Sequence, residues 1–293
     1  MKFIINEYNL FSPKIKNEID IMCISDIHSD IEKLTEIRKI IKKFQVKILL
    51  IPGDLVDAVN DKRNNELLEI IKSISLISSI YIVKGNHDLL SLNKTRKNYS
   101  TNSDIYKKLS LIKNVNVLDK DIEYISLNED INVNSLTLPL KWYTKREKKK
   151  YCEDYIRNKK LRDSNKFNIL LSHSPRGLIN DHLIRQDLDY IKNMDLILCG
   201  HMHAGLKPIF LRRKKGHTGL VGPYKVFFPK NAYGFYNNDD SSLIISGGIT
   251  KLSDSSSGII KRFNKFFSSE IELIHLKKGK KYNFELNNRK KIN

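Results

Sequence analysis

The sequence predicts an α/β fold whose second half is rich in strands, and three features carry that expectation. Short apolar runs recur at Ile19 to Ile24, Val46 to Ile51 and Ile80 to Val83, each followed by polar residues or glycine. The segments between them have helical rather than alternating spacing, with Ile31, Leu34, Ile37, Ile41 and Phe44 on one stripe. After Phe167 the helical patterns thin out and short apolar runs alternate with turns.

In chain order, a buried strand from Ile19 to Ile24 leads to a helix from Ile31 to Phe44, and a second strand from Val46 to Ile51 ends at Pro52-Gly53. A helix from Glu66 to Ile77 and a third strand from Ile80 to Val83, stopped by Gly85, complete a β-α-β-α-β series. Such a series implies parallel strands joined by right-handed crossovers. A helix is expected from Asp104 to Ile112, a strand from Val115 to Leu118, and further strands between Ile122 and Leu138. Lys145 to Arg162 is so charged that it reads as an exposed helix. Phe167 to Leu171 and Leu196 to Cys199 are strands with a helix between them, and Leu220 to Phe228, Leu243 to Ser246 and Glu270 to Leu276 are strands of the last third. With no internal repeat and no long linker, residues 1–276 are expected to form a single domain, and residues 277–293 a basic, frayed tail.

Composition narrows the classes of function. The chain has 293 residues, 40% of them hydrophobic and 29% charged, which excludes wholesale disorder, collagen and coiled coil. The 52 Lys and Arg exceed the 33 Asp and Glu by enough to give a net charge of +19, leaving open nucleic acid, anionic lipid or a phosphorylated substrate. Abundant Lys, Asn and Ile also fit the coding bias of an AT-rich genome, so charge does not choose the partner. Cys23, Cys152 and Cys199 are odd in number and widely spaced, which suggests no disulfide framework and fits a reducing cytosol. The N-terminus does not read as a signal peptide and no window reads as a membrane span, so a cytoplasmic protein is expected, with peripheral membrane contact left open.

The chemistry lies where the strands end. Asp26-Ile27-His28 follows the first strand, Gly53-Asp54 and then Asp57 the second, and Gly85-Asn86-His87-Asp88 the third. His173 follows Leu171-Ser172, and Gly200-His201-Met202-His203 follows Cys199. Ligands of open α/β sheets bind beyond the carboxyl ends of the strands, so these segments deliver Asp, His and Asn to one edge. Imidazole and carboxylate together suit Mn, Fe, Zn or Ni. Two such ions about 3.5–4 Å apart can each bind a phosphoryl oxygen and hold a hydroxide between them for in-line attack. Each segment alone has an ordinary structural explanation as a turn or helix cap. Their joint order does not.

In that order, Asp26-x-His28, Gly53-Asp54, Gly85-Asn86-His87-Asp88, His173 and Gly200-His201-x-His203 resemble the signature blocks of the calcineurin-like metallophosphoesterase family, spread over residues 19 to 250. The resemblance implies a β-sandwich of two mixed sheets flanked by helices, with two divalent metal ions, Mn2+ first among them, at its edge. It implies that Asp26, His28 and His203 hold one ion, that Asn86, His173 and His201 hold the other, and that Asp54 bridges them. His87 falls at the family's catalytic histidine, Asp57 at a carboxylate that orients it in some members, and Asp88 at a structural position. A finer resemblance, to a branch of small bacterial phosphoesterases, points to a phosphodiester or pyrophosphate bond in a small or lipid-linked substrate. Members of that branch often reach the membrane through an N-terminal segment, and no such segment is expected ahead of the first predicted strand here. Basic clusters at Lys141 to Arg162 with Trp142 and Tyr143, at Arg212 to Lys215 and after Lys277 are the candidates for contact with an anionic membrane. The alternatives are a metal-dependent nuclease of the same family, which the positive charge favours, and a non-catalytic binding module, which the complete ligand set disfavours.

Overall fold

Alternating burial along the central strands divides the molecule into layers. The computed structural model describes residues 3–58, 61–89, 104–118, 124–143, 149–159, 165–180, 183–208, 218–223, 226–238, 241–250, 267–280 and 283–292. In strand Ile19–Cys23 the side chains of Ile21 and Cys23 enter one core, while Met22 enters another on the opposite face. Strands Ile48–Pro52 and Ser79–Val83 repeat the pattern, with Leu50 and Val83 on the first face and Leu49, Ile51, Ile80 and Ile82 on the second. A strand buried on both faces reads as a continuous apolar run, which is how the sequence presents them.

The first sheet has seven strands in the order Asn283–Ile292, Phe3–Ser12, Ser269–Lys278, Ile19–Cys23, Ile48–Pro52, Ser79–Val83 and Val115–Leu118. The last four are mutually parallel, as the β-α-β-α-β series predicts. The second sheet has six strands in the order Gly234–Asn237, Ser242–Ile245, Leu196–Cys199, Phe167–Ser172, Ile131–Leu136 and Tyr124–Ser126. The two sheets face each other across a core holding Leu50 and Val83 from one and Val133, Ile169, Leu171 and Leu198 from the other. Helices Ile31–Phe44, Asn64–Ser75 and Asp104–Ser110 cover the outer face of the first sheet, through residues such as Leu34, Ile37, Leu67, Ile71 and Leu109. Helices Lys149–Arg157 and Asp189–Lys192 cover the second, where Cys152, Ile156 and Ile191 pack on Leu170 and Ile197. This is the expected sandwich of two mixed sheets flanked by helices. Among the described residues no helix is long and apolar enough to cross a membrane.

Several expectations change. The exposed helix expected over Lys145 to Arg162 is described as Lys149–Arg157, and it is amphipathic, with Cys152 and Ile156 fully buried. Its few apolar residues recur at helical spacing, which a count of charges conceals. The helix expected between the strands at Phe167 and Leu196 is a single turn, Asp189–Lys192, and Leu220 to Phe228 holds two two-residue strands rather than one long one. The frayed tail is not frayed over residues 283–292, which pair antiparallel with Phe3–Ser12. That pairing covers an edge that would otherwise present unpaired backbone groups, and backbone pairing needs no apolar pattern to signal it. Arg212 to Lys215 lies outside the described residues.

Candidate metal centre

The strand ends converge because parallel strands of one sheet point the same way, and Phe167–Ser172 and Leu196–Cys199 of the facing sheet end at the same edge. Asp26, His28, Asp54, His201 and His203 all have positive φ, between 45° and 69°. A row of left-handed residues just past the strand ends turns the backbone inward, and such strain gathers at functional sites. Backbone hydrogen bonds tie these turns together: Ile27 and His28 N–H donate to the Asp54 carbonyl at 2.7 and 3.0 Å, and Gly200 N–H to that of His173 at 3.0 Å.

Asp26 is wholly buried and accepts from the Ser25 hydroxyl at 2.7 Å and from the His201 N–H at 3.0 Å. Its Oδ1 lies 3.6 Å from Nε2 of His203, whose Nδ1 donates to the Thr250 carbonyl at 3.0 Å. The His28 ring stacks on that of His203, with centroids 5.4 Å apart. On the other side, Nε2 of His173 lies 3.0 Å from Asp54 Oδ2, and its Nδ1 donates to the Pro52 carbonyl at 2.9 Å. Anchoring Nδ1 on a carbonyl turns Nε2 toward Asp54 in His173 and toward Asp26 in His203. Asp54 Oδ2 is also 3.8 Å from His28 Nε2, so this carboxylate stands between the two halves.

The structure brings together the aspartates and histidines in which the sequence suggests metal ligands. Asp26, His28 and His203 offer donor atoms within 4.8 Å of one another, and so do Asp54, His173 and His201. The donor set suits borderline divalent cations. Both ring nitrogens of His28 and Oδ1 of Asn86 are buried without a hydrogen bond, a costly state for polar atoms that bound cations would relieve. Burial, reinforced by His173, drives His201 down to about 3, which favours the neutral imidazole, the form that can bind a cation. Burial alone would raise Asp54, but His173, His87 and His28 reverse this and hold it well below the usual carboxylate range. Burial pulls His173 down, yet Asp54 and Asp26 outweigh it and push the group up to about 9.

His87 stands beside this set, with about a quarter of its side chain exposed. Its N–H donates to Asp54 Oδ1 at 2.8 Å and its Nδ1 to the Asp57 carbonyl at 2.9 Å, which leaves Nε2 unused by that anchor. Asp57 Oδ1 lies 3.4 Å from Nδ1 of both His87 and His28, and its other oxygen lies 3.6 Å from Arg63. Burial opposes ionisation of Asp57, but the two imidazoles hold it well below the usual range. Burial likewise lowers His87, while Asp54 and Asp57 together push it up to about 10. Asp88 adds no donor atom to these groups and instead accepts from the N–H groups of Asp54, Val56 and Gly85 at 2.7, 3.0 and 2.7 Å.

Glycine is required at two of these turns. Gly53 has a φ of +91°, and a Cβ there would lie 2.6 Å from His173 Nδ1, while a Cβ on Gly85 would collide with the Asp54 carboxylate. Gly53→Ala is expected to displace His173 from the Pro52 carbonyl and weaken Mn2+ binding by about 10–100-fold, the usual cost of losing a ligand's outer partner; calorimetric titration checks it. Sequence reasoning missed the carbonyls of Pro52 and Thr250, the Ser25 hydroxyl and Arg63. Backbone acceptors have no side-chain identity to read, and Arg63 looks like one more charge at the start of a helix. It also placed Tyr143 in a membrane-contact cluster, whereas Tyr143 is buried with its ring 5.2 Å from that of His201.

Comparison with known proteins identifies a family for the chain. The family model described as calcineurin-like phosphoesterase matches residues 19–205. Two Helicobacter pylori proteins, from strains J99 and 26695, each described as an uncharacterized metallophosphoesterase, are 29% and 28% identical over 227 residues. The match covers 75% of this chain and 54% of each relative, so the chain spans about half the length of the curated relatives it matches. Among solved structures, a purple acid phosphatase from yellow lupin (Lupinus luteus) seeds has a TM-score of 0.44 at 12% identity, covering 81% of this chain and 45% of that one. Since the family model takes in well over half of the sequence and the strand-end blocks meet at one centre, the chain belongs to the calcineurin-like phosphoesterase family.

Proposed function

We propose that this protein is a metal-dependent phosphoric ester hydrolase that cleaves a phosphodiester or pyrophosphate bond in a small or lipid-linked substrate. The observation that carries the reading is Asp54, whose carboxylate stands between His28 on one side and His173 on the other. Asp26, His28 and His203 would hold one divalent cation, and Asn86, His173 and His201 the other, with Asp54 shared. When bound, such a pair supplies Lewis acidity toward phosphoryl oxygens and an activated water. The chain's own residues do the rest. His87 presents Nε2 to the departing oxygen and donates a proton there, or stabilises charge on the phosphoryl group. Asp57 fixes the ring by accepting from Nδ1 and by sustaining its positive charge. Phosphoester hydrolysis and a requirement for divalent metal go with the family; the diester or pyrophosphate preference, Mn2+ and these residue roles are the proposal.

The test uses metal-stripped protein with bis-p-nitrophenyl phosphate, p-nitrophenyl phosphate and linear DNA, each with and without Mn2+. Hydrolysis of the diester is expected to return with Mn2+ and to fall about 10²–10⁴-fold in His87→Ala, the range for losing a general acid. Cleavage confined to DNA would replace this reading with that of a nuclease. Equal activity in the variant would remove His87 from the mechanism.

A further inference from the structure

Val226, Phe227 and Phe228 are consecutive and are 43%, 72% and 68% exposed. Single exposed apolar side chains are ordinary, but a contiguous run of them marks a contact surface. They sit on a short antiparallel ribbon in which Val221 pairs with Phe227 and Gly222 with Val226. Phe228 has a φ of 49°, a conformation that bulky residues avoid, and its N–H is held by the Leu220 carbonyl at 2.9 Å. The backbone therefore keeps this aromatic side chain in solvent at a conformational cost.

The same ribbon forms one wall of a cavity of about 340 Å³ that opens on His201, with Val226 and Gly222 among its lining and Trp142 and Met202 beside them. That lining includes Arg176 and Lys230 and, among the described residues, no carboxylate. An apolar, aromatic tip next to a positive mouth matches the two layers of an anionic bilayer surface: acyl chains and glycerol below, phosphates above. The net charge of +19 adds a longer-range attraction of the same sign.

We propose that residues 226–228 form a wedge that seats the mouth of this cavity on an anionic lipid bilayer. Phe227 and Phe228 enter the interface, and Lys230 and Arg176 face the headgroup phosphates. The proposal relies on the hydrolase reading only for what the mouth admits, because the docking itself needs neither metal nor substrate.

The full chain, in chelator, is sedimented with vesicles of phosphatidylcholine alone and of phosphatidylcholine with phosphatidylglycerol. The expected result is binding to the anionic vesicles only, weakened by added salt. The charge-neutral double variant Phe227→Ser/Phe228→Asn should weaken it about tenfold or more, given the apolar area removed. Asn tolerates the left-handed backbone at position 228. Phe227→Ser alone, at an exposed position, should retain the fold by circular dichroism and give part of the loss. Neither variant should change Mn2+-dependent hydrolysis of bis-p-nitrophenyl phosphate. Wild-type protein left in the supernatant, or a double variant that binds as tightly, overturns the wedge, and equal binding to neutral vesicles overturns its anionic partner. Dimerisation that the double variant abolishes, without vesicle binding, assigns the tip to a second copy instead. Vesicle binding without hydrolysis counts against the hydrolase reading alone.

Discussion

Asp54→Asn is expected to reduce Mn2+-dependent hydrolysis by at least about 10³-fold, more than the loss of one fixed electrostatic partner costs. Asn keeps the size of the side chain and an oxygen to accept from the His87 N–H, so the turn should survive. What it removes is the negative charge shared between the two donor groups, and with it the second oxygen on His173. Steady-state assays and calorimetric Mn2+ titration check the loss, and a variant retaining most of its activity would refute the sharing of Asp54. The same substitution should alter the metal-free protein in a way that activity does not report. His173 is raised from 6.5 to about 9, with Asp54 the largest of the raising influences. A raised imidazole contributes stability that is fully present below its unfolded value and is lost as pH rises through its folded value. Wild-type protein in chelator should therefore lose stability between about pH 6.5 and pH 9, and Asp54→Asn should flatten that loss. Thermal melts across this window measure both.

Asp88→Ala is expected to cost about 3–5 kcal/mol of folding stability, and activity with it. Its carboxylate accepts from three backbone N–H groups on the two loops that carry Asp54 and Asn86. Cutting it back leaves those buried donors unpaired at about 1–3 kcal/mol each, against a whole-domain stability of about 5–15 kcal/mol. Asp88→Asn keeps one acceptor oxygen and should lose less. Urea unfolding distinguishes the two, and Mn2+ affinity should fall in the same order. Unchanged stability in Asp88→Ala would mean that water satisfies those groups.

Much of the central fold was legible because its strands are buried on both faces. Ile48–Pro52 and Ser79–Val83 are unbroken apolar runs with glycine just beyond them, and Ile31–Phe44 has a clean apolar stripe and an Asp30 side chain accepting from the Lys33 N–H. The strands Phe3–Ser12 and Asn283–Ile292 were not legible. Both mix polar residues among apolar ones, and what makes the second a strand is the free edge of the first, more than 200 residues away in the chain. The helix Lys149–Arg157 failed in the opposite direction, since its buried Cys152 and Ile156 are outnumbered by charged residues in the sequence.

The sequence by itself determined the donor inventory and the order in which it is delivered. Asp, His and Asn follow glycine or polar residues at successive strand ends, and parallel strands must bring their ends to one edge. Tertiary structure alone decided how those donors are oriented. The carbonyls of Pro52 and Thr250 anchor Nδ1 of His173 and His203 and so set the direction of each Nε2, and Asp88 braces two loops through backbone N–H groups. Asp57 is drawn between His28 and His87. These arrangements depend on backbone groups and on distances of a few ångströms between segments far apart in sequence. Residue identity records which atoms are available, and only packing fixes which of them meet.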